Sequence, residues 1–518
     1  MNDILRYIPW TLLLAAIGVA NADDGTFIVT RTDDPLPNGC SVGGCSLREA
    51  VLAANENTTG ANEIVLGAET YTVGAPTIVA HGTLRITGAG SANTLVNGNG
   101  DVLLLQHFGE SLLVQGVALD AASNMELFAD GDRTVLVDVA QPNTLGSLIV
   151  SGSTDSVIAD SDFRGSVNLS GNCTVTVETS QFVHLSFVQG NPVTCSVRLD
   201  RIVVDGSLSA GSSGLAFNLN SAAGDSTIGM FNSVIQHTTD GMALRFTGGV
   251  GQASIEHLRY LDNDEPLLMD YGIDAYIQDS EFADNHHDDE ADPKPGALWV
   301  HEANVSTEVQ RSTFSGNRGT RSAGGAVLVE GGASLTLVNS TFANNTFTVA
   351  AAETGVRGAA IGYYSDDQDV TVLRLKHVTI VPPALFPTGV AGTTIGGYGG
   401  ETGLSLNVYN SILRGSCSLD ADAMDVAVGS ISTGTSCQFT DPSNQTGVSS
   451  SDIGLGTLDY HGGYTRTYVP AADSVAVDAG YASVCLDEDQ RGYVRPLGNG
   501  CDVGAVETGD VLFANGFE

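Results

Sequence analysis

One short phrase, spelled three times between Asp279 and Asn345, most constrains what this chain can fold into. Asp279-Ser-Glu-Phe282-Ala-Asp-Asn285 returns as Arg311-Ser-Thr-Phe314-Ser-Gly-Asn317 and as Asn339-Ser-Thr-Phe342-Ala-Asn-Asn345. A second phrase interleaves with it: Gly296-Ala-Leu-Trp-Val300, then Gly325-Ala-Val-Leu-Val329, then a looser Gly358-Ala-Ala-Ile361. A unit this short cannot bury its own apolar face and must lean on the next, which is the mark of a stacked solenoid. The residues before each Phe alternate, as in Ser334-Leu-Thr-Leu-Val-Asn-Ser-Thr-Phe342, so the units are strands with one face in and one out. Helical solenoids are thereby excluded. Glycine pairs such as Gly324-Gly325 and Gly331-Gly332 punctuate the strands, and an Asn follows each Phe where the chain must turn. The pattern predicts an all-β fold, a single-stranded parallel β-helix that is right-handed by the usual crossover preference.

A solenoid also accounts for 518 residues without several globular domains, and 63 glycines suit its many turns. Sixty acidic side chains stand against 21 basic ones, of which only Lys294 and Lys376 are lysines. Phosphate binding needs clustered positive charge, so nucleic acid is excluded as a partner. The acidity serves solubility or divalent-cation binding.

The first residues read as a signal peptide. Arg6 supplies a positive region, Ile8 to Ala20 an apolar one, and Ala20-Asn-Ala22 a small-x-small cleavage site. The apolar run is shorter than the roughly 18 residues a membrane span needs, Pro9 interrupts it, and no second candidate exists. The chain is expected to be exported, whether secreted, surface-held or periplasmic, after cleavage near Ala22, with no transmembrane segment. Eight cysteines in close pairs agree with an oxidising compartment. Nearest neighbours suggest bridges Cys40 to Cys45, Cys173 to Cys195, Cys417 to Cys437 and Cys485 to Cys501, among about 105 possible connectivities. No C-x-x-C spacing supports a zinc site.

Ser46 with Glu49 forms a capping box, and Leu47, Ala50, Val51 and Ala54 follow at helical spacing. A short amphipathic helix here is suited to cover the apolar, unpaired end of a β-helix. Cys45-Ser-Leu-Arg-Glu-Ala-Val-Leu-Ala-Ala-Asn55 resembles the C-S-L-R-E-A motif that opens many secreted bacterial β-helix proteins. The Phe-x-x-Asn and Gly-Gly-Ala-Val phrases are similar to the repeats of chlamydial polymorphic outer-membrane proteins, although nothing here resembles their membrane barrel. Ile453 to Thr467, Asp473 to Gly480, Asp489-Gln-Arg-Gly492 and Asp502-Val-Gly-Ala-Val-Glu507 together resemble the choice-of-anchor Q module, departing from it at His461 and Val475. Within that stretch Asp489, Arg491, Arg495, Asp502 and Glu507 alternate in sign and suggest a structural ion-pair network. The ending Asp510-Val-Leu-Phe-Ala-Asn-Gly-Phe-Glu518 resembles short tails on other secreted proteins, and reads equally as a sorting signal or a docked strand.

The expected organisation is a signal peptide over 1–22, a cap with the helix over 23–60, the β-helix over 61–450, a small C-terminal β module over 451–507 and a tail over 508–518. The richest chemical constellation is 284–294, where Asp284, Asp288, Asp289, Glu290 and Asp292 share a loop with His286 and His287. These acids are candidate Ca²⁺ ligands, the one cofactor the sequence suggests, or else a solvated loop without EF-hand register. Arg311, Arg318 and Arg321 lie one coil later and are candidates for a ligand groove. No residue is singled out as catalytic, since 60 acids offer too many carboxylate pairs to choose from. The leading expectation is a monomeric, noncatalytic, adhesin-like protein that binds glycans or other cell-surface components. The alternatives are a polysaccharide lyase or glycoside hydrolase acting in a groove along the β-helix, and a structural envelope rod.

Overall fold

The computed structural model describes residues 24–509 apart from 59, 75–76, 100–103, 121–126, 145, 152–153, 172–173, 190–193, 210–211, 221–225, 248–250, 290, 321–323, 349–357, 366–368, 385–392, 400–402 and 420–422. The expected leader, the tail from 510 onward, Cys173, Glu290 and Arg321 lie outside the described residues. The chain is a parallel β-helix, and its contacts divide it into two compact units, Met1–Gly165 and Ser166–Glu518.

In the first unit Thr26–Ile28 pairs in parallel with Asn62–Val65, which begins a succession continued by Ile78–Thr87, Leu105–Asp120, Leu127–Gln141 and Asp155–Ala159. Alternation sends one row inward. Ile64, Ile86, Val114, Leu136 and Ile158 are Cα partners from strand to strand, and all are buried. The helix Leu47–Glu56 packs on the first three of these strands, most closely on Ile78–Thr87, and buries Leu47, Ala50, Val51 and Ala54. Ser46 Oγ accepts from the Glu49 N–H at 3.3 Å while Glu49 Oε2 accepts from the Ser46 N–H at 2.8 Å, which closes the predicted capping box. Between these two residues Arg48 donates from Nε to Asp34 Oδ1 at 2.8 Å, so the motif fixes the helix to the preceding loop as well as starting it.

In the second unit the coils are built on three principal strands, to which two of them add a two-residue strand, Arg318–Gly319 and Thr346–Phe347, paired in parallel. One coil has Ile273–Gln278, Glu281–Ala283 and Leu298–Val300, the next Ser306–Gln310, Thr313–Ser315 and Val327–Val329, the next Ser334–Val338, Thr341–Ala343 and Gly358–Ser365. Each strand pairs in parallel with its counterpart one coil on.

The repeated phrase spans the two corners that flank the middle strand. Its first residue, Asp279, Arg311 or Asn339, takes a left-handed conformation with φ of 51°, 49° and 45° and turns the chain out of the long strand. The Ser that follows is buried and belongs to a ladder. Ser280 N–H donates to Ser312 Oγ at 3.1 Å and Ser312 N–H to Ser340 Oγ at 3.2 Å, while each hydroxyl donates to the carbonyl two residues back. The Phe points inward, in register with the next, and the rings stack. Centroids of Phe282 and Phe314 lie 4.6 Å apart, those of Phe314 and Phe342 4.7 Å. Asp284, Gly316 and Asn344 form the second left-handed corner, at φ of 57°, 68° and 55°.

The closing Asn faces inward and makes a second ladder. Asn317 Oδ1 accepts from the Asn285 N–H at 3.1 Å and from Asn285 Nδ2 at 2.9 Å, and Asn317 Nδ2 donates to the Phe282 carbonyl at 3.0 Å and to Asn345 Oδ1 at 3.0 Å. A corner with no room for water thereby satisfies its own backbone groups.

Residues from Ser450 onward carry little regular structure: a helix Ser450–Ile453, a 3₁₀ turn Ala482–Val484 and, among the described residues, three isolated antiparallel bridges. They return along the middle strands. Thr313 Oγ1 donates to the Arg466 carbonyl at 2.6 Å, Arg466 Nε reaches Glu281 Oε1 at 2.6 Å, Gln490 Oε1 accepts from Thr341 Oγ1 at 2.6 Å, and the Ala505 N–H donates to Thr379 Oγ1 at 2.9 Å. The covered strands are accordingly buried on both faces, whereas the corresponding Val234–Gln236 and Arg259–Leu261 keep their outward residues partly or fully exposed. The alternating charges do form one network. Arg491 Nε donates to Asp489 Oδ2 at 2.9 Å, Arg495 Nη1 to Glu507 Oε2 at 3.0 Å, and the backbone N–H groups of Asp502 and Glu507 close it onto Glu507 and Asp489. Bridges Cys40 to Cys45, Cys417 to Cys437 and Cys485 to Cys501 are present as expected.

Candidate functional site

The loop after Asp284 begins at the second left-handed corner, and its charged groups are largely paired. Asp288 Oδ1 accepts from Arg318 Nε at 2.9 Å on the surface, Asp289 Oδ1 accepts from the Ala291 N–H at 2.9 Å, and Asp284 is exposed. Asp292 Oδ2 lies 2.6 Å from Lys294 Nζ, which is also 2.9 Å from Glu265 Oε2. The ring of His287 completes the group, with Nδ1 at 3.3 Å from Glu265 Oε1 and Nε2 at 2.8 Å from the Asp292 carbonyl. Both ring nitrogens face acceptors, which suits the imidazolium, and the hydrogen bond to Glu265 raises the His287 pKa. Burial alone would raise Glu265, but the bonds from His287 and Lys294 more than offset it and lower its pKa. Lys294 lowers Asp292 in the same way. Of the five acids singled out in the sequence, Asp292 is the one that belongs to a compact group of possible metal ligands among the described residues, with Glu265 and His287. Lys294 and the His287 ring already face two carboxylates there.

Arg311 and Arg318 do not share one groove. Arg318 sits with Asp288 as described, and Arg321 lies outside the described residues. Arg311 is at the other corner of the coil, where its guanidinium makes paired bonds to Asp279 at 2.9 and 2.8 Å and its carbonyl accepts from Thr465 Oγ1 at 3.0 Å. It braces the corner on which the returning segment rests.

A constellation that the sequence reasoning missed stands on the outward face of the third strands. Leu268, Trp299 and Leu328 are Cα partners on successive coils, and Trp299 is half-buried between its neighbours. Its indole is locked at the edge, since Nε1 donates to Glu330 Oε1 at 2.8 Å. The His301 ring lies 5.2 Å away, tilted by 49°. His301 Nδ1 is 3.2 Å from Asp270 Oδ1, whose second oxygen receives Arg245 Nε at 3.1 Å, and His301 Nε2 is 3.8 Å from Glu330. The hydrogen bond to Asp270 raises the His301 pKa, and burial raises that of Glu330 despite the indole bond. Asp270, His301 and Glu302 also have ligand atoms close enough for a metal, although Arg245 already neutralises Asp270. An immobilised indole with a carboxylate and an imidazole at its rim offers an apolar platform beside hydrogen-bonding groups, the makeup of a small-molecule site. The signal was present. Trp299 is one of two tryptophans, the other being Trp10 in the expected leader, and alternation within Gly296-Ala-Leu-Trp-Val300 puts it outside.

No protein-family model matches this sequence, and no curated protein matches it. Among solved structures the chain is similar to that described as the crystal structure of pectate lyase Pel9A, at 12% identity and a TM-score of 0.23, covering 93% of this chain and 96% of that one. The β-helical assignment rests on the strand pairing described above. Among the described residues no helix is long and apolar enough to cross a membrane.

Proposed function

We propose that this chain is an exported, noncatalytic β-helix protein that binds glycans at a cell surface or in a matrix, with Trp299 as the stacking platform. One observation carries the reading: a half-buried indole, outward on a rigid sheet, is held by Glu330 and flanked by His301 and Asp270. Pyranose rings present an apolar face and a rim of hydroxyls, and this arrangement matches both. Preorganisation supports it further, because a locked side chain loses little entropy on binding. The disulfides fit an oxidising compartment, as the leader-like first residues require.

The test is a titration of the protein, freed of its leader, with neutral and acidic oligosaccharides, read by indole fluorescence and by calorimetry. At least one should quench the indole, and Trp299→Ala should weaken binding at least about tenfold, near the 1.4 kcal/mol expected of a lost aromatic stack. Trp299→Phe should recover part of it. Unchanged fluorescence across the panel sinks the reading. Release of reducing ends that disappears in Glu330→Gln would replace it with a carbohydrate-active enzyme.

A further inference from the structure

The outward face of the long strands in the second unit carries a groove that belongs to neither the Trp299 face nor the acidic loop. Its volume is about 330 Å³, and Thr227, Gln252, Ser254, Asp274 and Tyr276 line it, over the backbone of Ile228, Ala253 and Ala275. The register explains why the space exists. Arg198, Gly229, Ser254, Tyr276 and Glu308 form one outward row, one residue per coil, and beside Tyr276 the row carries only the small side chain of Ser254. Thr227, Gln252 and Asp274 form the parallel row beside it, so hydroxyl, amide and carboxylate stand at the strand repeat, about 4.8 Å apart.

Both aromatic rings at this face are fixed. The Tyr276 hydroxyl donates to Gln278 Oε1 at 2.6 Å and also meets the Gln310 side chain. Phe231 lies over Gly229, where an added Cβ would come within 2.8 Å of the ring, and Arg198 sits 4.5 Å from its centroid. That guanidinium is also 3.6 Å from Asp200, so its charge is already engaged. Asp274, Glu256 and Glu308 add negative charge along the face of a chain whose formal charge is −39. An anionic ligand is repelled there, while a hydroxyl-rich uncharged one finds donors and acceptors at regular intervals with an aromatic edge to rest against.

We infer that this groove is a second carbohydrate site, one that takes uncharged sugars and rejects uronic acids. The inference rests on the glycan-binding reading but not on Trp299. The experiment is calorimetry with neutral linear hexasaccharides (gluco, manno and xylo series) and with hexagalacturonate, on the wild type, Trp299→Ala, Tyr276→Ala and Gln252→Ala, each first checked for an unchanged circular dichroism spectrum. Two sites per chain are expected for a neutral hexamer. Trp299→Ala should leave one, and Tyr276→Ala or Gln252→Ala should leave the other, the one that quenches the indole, while weakening the groove at least tenfold. A single wild-type site that is insensitive to Tyr276 and Gln252 overturns the groove and leaves the Trp299 reading standing. Heat that survives in Trp299→Ala but vanishes in Tyr276→Ala overturns the Trp299 platform and keeps the groove. Equal affinity of the groove for hexagalacturonate removes its selectivity, and no heat from any hexamer removes both sites.

Discussion

Asp279, Arg311 and Asn339 turn the same corner in successive coils with φ near 50°, and none is glycine. A left-handed L-residue costs roughly 1–2 kcal/mol, so the corner needs compensation, which the neighbouring serine ladder and the Arg311 to Asp279 ion pair supply. His377 occupies the same corner position, at φ 53°, under the returning segment. Its Nδ1 lies 3.3 Å from the Gly504 carbonyl and its Nε2 3.1 Å from Asn410 Nδ2, an arrangement that suits the neutral ring. Burial, helped by repulsion from Arg495, pushes its pKa down to about 3. An unfolded histidine titrates near 6.5, so between those values the unfolded chain takes up a proton that the folded one refuses. Stability from this residue is complete above pH 6.5 and is lost as pH falls toward 3, on the order of 5 kcal/mol over the whole window. The denaturation midpoint should therefore drop on acidification from pH 7 to 4, and His377→Gln should flatten that limb while lowering stability at pH 7. Parallel acid limbs in the two proteins would remove His377 from the account.

At the scale of elements, the strand is held to its neighbours by two ladders and a stack rather than by backbone pairing alone. Asn317→Ala would leave the Asn285 N–H without its partner and take one bond each from the Asn285 amide, which keeps the Tyr260 carbonyl, and from the Phe282 carbonyl, in a corner closed to water. Each unpaired buried group costs about 1–3 kcal/mol, and relaxation will recover some of it, so a loss of about 3 kcal/mol is expected from urea denaturation. Asn304→Ala, at an exposed left-handed turn on the far side of the same coil, should cost less than about 1 kcal/mol. Equal losses at the two positions would mean that the ladder contributes nothing special. The helix Leu47–Glu56 and the returning segment are likewise elements whose burial follows from side chains, not from strand edges. The first was legible because its capping box and apolar stripe are local. The second was legible only as a distinct composition: that it lies on the Phe strands depends on contacts such as Thr313 to Arg466, 153 residues apart.

On the scale of the whole molecule, a formal charge of −39 disposes the chain to bind cations, yet the loop at 284–294 has much of its charge matched from within. A bound ion present at a hundred times its dissociation constant would stabilise the fold by about 2.7 kcal/mol. We expect no such gain: at fixed ionic strength, calorimetric melting with calcium should coincide with melting with sodium and chelator. A calcium-specific rise in Tm that is lost in Asp292→Asn would show that Lys294 yields its place to the ion. What the sequence determined by itself was everything with a short period. The in-and-out alternation and the inward Phe are set by backbone geometry within one coil, and one coil is legible from its own residues; the turn read at each Asn falls one residue earlier, at Asp284, Gly316 and Asn344. The tertiary structure alone decided which outward rows remain open. It placed Arg311 under the returning segment instead of beside Arg318, gave Lys294 to Asp292 and Glu265, set Glu330 against the Trp299 indole and left a groove above Ser254. Those outcomes depend on register between coils some thirty residues apart and on a segment that returns from much further along the chain, and neither leaves a periodic trace in the sequence.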